Sequence, residues 1–303
     1  MAERKKYHGV VVPMATPVTA DGDIDEAAVC RVIDHLIAGG THGVFVVGTT
    51  GEGPSIPQDM RRRLVEVAVR HTGGRAVTYA GIPDNCPKAS IEAAKSYLEL
   101  GIDAVVAHLP GYYPLNAEDM LAFFEQLSDG IPGPVMMYNI PITTHMSIPL
   151  ETVDRLSRRE NIIGLKDSEK NAERMQQAAE MWKDRADFSH LCGSAVLSAA
   201  ALLAGSDGIV PSTGNIAPQP YRDLYEAACG GDRQKAESLQ EKTNKISRVY
   251  QAGRTLGQAL PALKVLMSEM GLCDDNVLPP LRRTAGPERA GIVEQAGELG
   301  VLG

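Results

Sequence analysis

Lys166 stands at the end of an apolar run, Ile162-Ile163-Gly164-Leu165, and is followed by Asp167 and Ser168. A lysine at the end of a buried strand is partly desolvated, which penalises the ammonium, lowers its pKa and frees a neutral amine to attack a carbonyl. The Schiff base so formed is an electron sink: the protonated imine stabilises the enamine left by proton loss or by cleavage of a carbon–carbon bond. The plainer reading is a structural lysine paired with Asp167 at a helix entrance. Tyr138 ends the preceding apolar run, Pro134-Val135-Met136-Met137. If the two runs are adjacent strands, its phenol lies one strand spacing, roughly 5 Å, from Lys166, where it can shuttle protons. An amphipathic tyrosine on a rim would look the same. A third segment, Gly48-Thr49-Thr50-Gly51-Glu52-Gly53, offers backbone N–H groups and two hydroxyls in a tight turn. Such a nest suits a small carboxylate or phosphate, although a Thr-capped glycine turn needs no ligand. It is not a P-loop, because the lysine of that motif is missing.

These segments must be positioned by a repeating frame. β-branched and apolar runs recur at Val10–Val12, Gly43–Val47, Ala76–Ala80, Ala104–Ala107, Pro134–Tyr138, Ile162–Lys166, Phe188–Cys192 and Asp207–Val210. Most steps are about 25–35 residues, the size of a βαβ unit. Between them, Asp25–Ala38, Asp59–His71, Lys88–Leu100, Ala117–Leu127, Leu150–Ser157 and Asn171–Trp182 carry apolar residues at helical period. Gly39-Gly40, Gly73-Gly74, Gly101 and Gly130 are expected to supply left-handed helix caps. The strands are continuous apolar runs, as expected of parallel strands covered on both faces. Eight strand–helix steps over about 230 residues indicate an α/β fold, a (β/α)8 TIM barrel, in preference to an open doubly wound sheet. In such a barrel, function gathers at the C-terminal strand ends, where all three segments fall. Residues 1–230 are read as the barrel. Residues 231–303, with helical stretches Asp232–Gln251, Leu256–Met270 and Pro287–Leu299 and no strand between them, are read as a helical extension packed on it.

Composition excludes several classes. With 44% hydrophobic and 22% charged residues the chain is globular, and its net charge of −8 argues against a nucleic-acid binder. No run reaches the roughly 20 apolar residues of a membrane helix. The apolar stretch near the N-terminus is broken by Pro13 and Pro17, which spoils it as a signal peptide. The five cysteines are widely spaced with no C-x-x-C, pointing to a cytoplasmic protein without disulfides. His8, His35, His42, His71, His108, His145 and His190 show no metal-ligand spacing, so no metal is expected. His108 and His190 do fall near strand ends.

Taken together, Gly48-Thr49-Thr50-Gly51-Glu52, Tyr138-Asn139-Ile140-Pro141 and Gly164-Leu165-Lys166-Asp167 resemble, in order and spacing, the dihydrodipicolinate synthase / N-acetylneuraminate lyase family. The resemblance runs from about Gly9 to the C-terminal helices. It implies a class I, pyruvate-dependent aldolase on a (β/α)8 barrel, with no cofactor beyond the covalent lysine imine. It further implies that Lys166 forms the imine with pyruvate or another 2-keto acid and that Tyr138 is the general acid/base. Thr50 and the surrounding turn, including Gly48, would hold the keto acid's carboxylate, and Thr49 would link Tyr138 into a proton relay. Tyr112, or else Tyr113, in Pro110-Gly111-Tyr112-Tyr113-Pro114 matches a tyrosine that reaches into a neighbouring subunit's site. Val210 would line the pyruvate pocket. A homotetramer, built as a dimer of dimers, is the implied assembly.

Two departures bear on the second substrate. Dihydrodipicolinate synthases usually carry an arginine two residues past the proline; here that position is Thr143. Loss of a bidentate guanidinium should weaken binding of aspartate semialdehyde. After the strand-seven glycine, sialate lyases and some 2-keto-3-deoxy-aldonate aldolases place acids that grip sugar hydroxyls, whereas this chain has Gly193-Ser194-Ala195. The pyruvate half therefore reads as intact and the acceptor half as different and less cationic. The favoured activity is a 2-keto-3-deoxy acid aldolase with an aldehyde acceptor. A true 4-hydroxy-tetrahydrodipicolinate synthase of lysine biosynthesis and a non-catalytic keto-acid-binding barrel are the alternatives, and a metal-dependent aldolase is disfavoured by the scattered histidines.

Overall fold

A computed structural model describes residues 5–302; the outermost ends of the expected barrel and helical spans lie outside that range. Eight parallel strands close into a barrel in sequence order. They alternate with helices: β1 (Gly9–Pro13), α1 (Glu26–Ala38), β2 (Gly43–Val46), α2 (Gln58–Thr72), β3 (Val77–Gly81), α3 (Pro87–Glu99), β4 (Ala104–His108) and α4 (Ala117–Gly130). The order continues with β5 (Val135–Asn139), α5 (Pro141–Thr144), α6 (Leu150–Leu156), β6 (Ile162–Asp167), α7 (Ala172–Trp182), β7 (Ser189–Cys192), α8 (Ser198–Leu203) and β8 (Gly208–Ile209). Four helices complete the chain: α9 (Pro218–Cys229), α10 (Arg233–Gln251), α11 (Leu256–Glu269) and α12 (Gly286–Glu298). β1 closes on β8 with Gly9 opposite Gly208 and Val10 opposite Ile209. No helix among the described residues is long and apolar enough to cross a membrane.

The strands are apolar on both faces because they serve two cores. Val10, Val12, Val44, Val46, Met137 and Leu165 face the helices in the outer core. Val11, Phe45, Tyr79, Met136, Tyr138 and Leu191 fill the barrel interior. The two-residue alternation of a strand thus persists inside each continuous apolar run. Helix starts follow side-chain capping: Asp25 accepts from Ala28 N on α1, Asn116 forms a capping box on α4, and Asn171 accepts from Arg174 N on α7.

Three local differences from the sequence reading have clear causes. Gly130 is not a left-handed cap; it ends α4, and a Cβ there would lie 2.6 Å from Ile91 Cδ1, so the glycine permits close packing of α4 on α3. β8 stops after two residues because Pro211 has no N–H to extend the ladder, although Val210 N still donates to Cys192 O at 2.8 Å. The single turn α5 directly after β5 carries too few residues to show a helical period.

Candidate active site

Lys166 faces the barrel interior because it lies two residues on from Gly164 and out of phase with Leu165, which joins the outer core. It pairs in register with Tyr138 on one side and Leu191 on the other. Its amine lies 3.8 Å from the centroid of the Tyr138 ring and 4.7 Å from that of Phe45, and the residue is only 4% exposed. Burial among these rings is the largest influence on its pKa and pushes it below the usual lysine value; contact with Tyr138 opposes the shift.

The reading of Lys166 as half of an ion pair with Asp167 is not what the fold builds. Asp167 takes the opposite strand phase and accepts from Arg174 Nε at 2.8 Å and Asn139 Nδ2 at 2.9 Å. Asn139 also donates to Glu169 and accepts from Ile148 N. These bonds tie the ends of β5 and β6 together directly beside Tyr138 and Lys166, so the polar clamp positions the pair without neutralising the amine.

Above the pair, a cavity of about 210 Å3 opens at the C-terminal ends of the strands. Thr49, Thr50, Tyr138, Lys166, Gly193 and Val210 line it, bringing six of the sequence-derived residues into one site. The turn after β2 is built to present backbone amides. Val47, a β-branched residue, sits at φ 57°, a strained left-handed conformation. Its carbonyl is wedged between Gly53 and Gly81, where a Cβ would come within 2.2 Å and 2.3 Å of Val47 O. Thr16 Oγ1 donates to Gly51 O at 2.6 Å and pins the turn to the loop after β1. The chain's own hydrogen bonds use Glu52 N and Gly53 N, which donate to Thr49 O and Gly48 O. Among the described residues, the N–H groups of Thr49, Thr50 and Gly51 have no such acceptor, leaving them for an anion.

The remaining candidates lie elsewhere. Gly48 is behind the turn, where a Cβ would strike the Phe45 ring at 2.9 Å, and it does not line the cavity. Thr143 is exposed and outside the lining, with its hydroxyl donated to Ile140 O; its neighbour Ile142 reaches the mouth instead. Tyr112 and Tyr113 are 77% and 72% exposed, their rings edge-to-face at 4.9 Å, on the surface of the single chain. His190 is buried and its Nδ1 lies 2.9 Å from Ser206 Oγ, while His108 Nδ1 lies 2.7 Å from Leu109 O. Among the described residues no group of three His, Cys, Asp or Glu side chains is placed to hold a metal ion.

Residues that sequence reasoning missed complete the wall. Ser168 and Lys170 follow β6, Ser194 follows β7, and Ser212 follows β8; Tyr250 and Arg254 enter from the end of α10. The loops after strands are where a barrel places function, so Ser168, Lys170, Ser194 and Ser212 were accessible to that rule. Nothing local marks Arg254.

A family model for the dihydrodipicolinate synthetase family matches residues 6–296. The 4-hydroxy-tetrahydrodipicolinate synthase of Alkalilimnicola ehrlichii is 30% identical over 275 residues, 91% of this chain and 92% of that protein. Among solved structures, dihydrodipicolinate synthase from Bacteroides thetaiotaomicron superposes with a TM-score of 0.92 at 32% identity, covering 98% of this chain and 100% of that one. YagE, a prophage protein of the dihydrodipicolinic acid synthase family from E. coli K12, solved in complex with pyruvate, superposes with a TM-score of 0.91 at 28% identity, covering 97% and 99%.

Proposed function

The chain belongs to the dihydrodipicolinate synthetase family, whose members are lyases of the class I aldolase type, and on that premise we propose that it makes or cleaves a 2-keto acid through an imine on Lys166. One observation carries the reading: a buried amine with no carboxylate partner among the described residues, held 3.8 Å from the Tyr138 ring, in a cavity edged by amides free among those residues. The keto acid's carboxylate rests on the N–H groups of the Thr49–Gly51 turn. The neutral amine adds to the keto carbon, and loss of water leaves the protonated imine. Removal of a proton from the neighbouring carbon gives the enamine, whose electron pair forms the new bond to an aldehyde carbon. The aldehyde oxygen takes up a proton, and hydrolysis of the imine returns the lysine amine. Cleavage runs these steps in reverse. Tyr138 moves the protons, with Thr49 beside it in the same wall.

The acceptor half supports a 2-keto-3-deoxy acid aldolase, because Ser168, Ser194 and Ser212 offer hydroxyls to a hydroxylated chain. Relatives named 4-hydroxy-tetrahydrodipicolinate synthase favour the second reading, condensation with aspartate semialdehyde. Against it, Thr143 stands where the arginine is expected, and no carboxylate of the described residues lines the cavity to receive that substrate's ammonium. Retention of lysine, tyrosine and threonine together supports turnover over mere keto-acid binding. Tyr112 is assigned to the site of a neighbouring copy in a cytoplasmic homo-oligomer. Borohydride reduction in the presence of pyruvate tests the central claim. A covalent adduct on the Lys166 peptide, absent from Lys166→Ala, is expected, and a protein left unmodified under those conditions overturns the reading.

A further inference from the structure

Among the described residues, three cations line the cavity, Lys166, Lys170 and Arg254, and no Asp or Glu does. Burial suppresses the charge of Lys166, and the keto acid's own carboxylate is met by the amides of the Thr49–Gly51 turn. Lys170 and Arg254 are then left facing the cavity with no anion in its wall. Lys170 is exposed and makes no hydrogen bond or ion pair among the described residues. Arg254 is held from behind: its Nε donates to Glu288 Oε1 at 2.9 Å and its Nη1 to Val249 O at 3.2 Å. Glu288 is itself half-exposed and outside the cavity lining, so it orients the guanidinium and leaves Nη2 uncommitted.

Resting on the Schiff-base reading, we infer that the outer half of this cavity is built for a second carboxylate on the substrate, gripped by Lys170 and Arg254. The substrate class is a 2-keto acid with a carboxylate at the end away from the keto group. Two cations from different segments lining one cavity suit an anion, and a guanidinium anchored on two sides is pre-organised to meet it. The unpartnered, buried Ser194 hydroxyl in the same wall can meet a polar group of the chain between the two ends. An amino-bearing aldehyde fits poorly, since its ammonium would meet like charge.

The test compares 2-oxoglutarate with 2-oxopentanoate, which has the same chain length but no second carboxylate, by the concentration of each needed for borohydride trapping. A preference of about tenfold or more for 2-oxoglutarate is expected from one charge-assisted contact. In Lys170→Ala and Arg254→Gln the ratio should move toward one, and added salt should lower it in the unaltered protein. Equal trapping of the two acids, with pyruvate trapped normally, overturns this inference and leaves the aldolase reading standing. Failure of pyruvate itself to trap overturns the aldolase reading. Calorimetric binding of the two acids to Lys166→Ala then decides the present inference alone, the same preference supporting it and equal affinity overturning it.

Discussion

Glu52 Oε1 and Lys264 Nζ stand 2.5 Å apart with both side chains almost wholly shielded from water. Glu52 belongs to the turn after β2 that edges the cavity, at φ 58°, and Lys264 lies in the middle of α11. Glu52 also accepts from Leu278 N at 2.7 Å, and Lys264 donates to Asn276 O at 2.6 Å. The turn is thereby fastened to the C-terminal segment. Removing one partner leaves an uncompensated buried charge, so Lys264→Met should lower stability by about 3–5 kcal/mol. Glu52→Gln/Lys264→Met, which removes both charges, should recover much of that loss in denaturant unfolding. If the pair instead only fills space, the double variant will be no more stable than the single.

The depressed pKa of Lys166 has a direct kinetic reading. Burial favours the neutral amine, so imine formation should rise with pH through a midpoint below 10.5. The Tyr138 hydroxyl favours the ammonium, so Tyr138→Phe should move that midpoint further down. The same substitution should slow turnover by about 10²–10⁴-fold, because the proton shuttle proposed for Tyr138 is lost. Rates of borohydride trapping and of turnover across pH, measured on both proteins, separate the two effects. A midpoint that shifts upward in Tyr138→Phe would contradict this account of the pair.

The barrel was legible because its strands announce themselves twice, as apolar runs and by their even spacing, and all eight lie at the expected places. Lys166, Tyr138 and the Thr49–Thr50 turn were legible because strand-end position is itself a rule of the fold. Arg254 and the Glu52–Lys264 pair were not, since each depends on the C-terminal helices returning to the barrel. Local sequence carries no trace of contacts across such separations. Thr143 shows the opposite failure: α5 directs it outward and puts its neighbour Ile142 at the mouth, a rotation of about 100° invisible in linear spacing.

His190 offers a test of acid stability. It is enclosed within β7, and burial pushes its pKa down to about 4 from 6.5. The folded state therefore prefers the neutral ring, while the unfolded chain takes up a proton below pH 6.5. Stability attributable to this group is complete above about 6.5 and is lost as pH falls toward 4, by roughly 3 kcal/mol at most. His190→Gln has no such proton to bind, so the fall in unfolding free energy between pH 7 and 4 should be shallower than in the unaltered protein. Identical slopes for the two proteins would remove His190 from the acid response.

Tyr112, Tyr113 and Ile142 are large exposed side chains on neighbouring loops, 77%, 72% and 61% exposed, and Ile142 reaches the cavity mouth. Their segments meet where a Cβ on Gly111 would lie 3.6 Å from Thr143 O. Three large apolar side chains presented together by neighbouring loops suit burial against another copy. The expected outcome is that the unaltered protein sediments as an oligomer, and that Tyr112→Glu/Tyr113→Glu sediments as a smaller species at the same concentration. Tyr112→Phe separates assembly from chemistry: it keeps the ring for packing and removes the hydroxyl. If the tyrosine reaches a neighbour's site, Tyr112→Phe should keep the oligomer's sedimentation and lower kcat with little change in the pyruvate concentration needed for trapping. Loss of assembly in Tyr112→Phe, or full turnover in a dispersed Tyr112→Glu/Tyr113→Glu protein, would confine these residues to the surface of a self-sufficient chain.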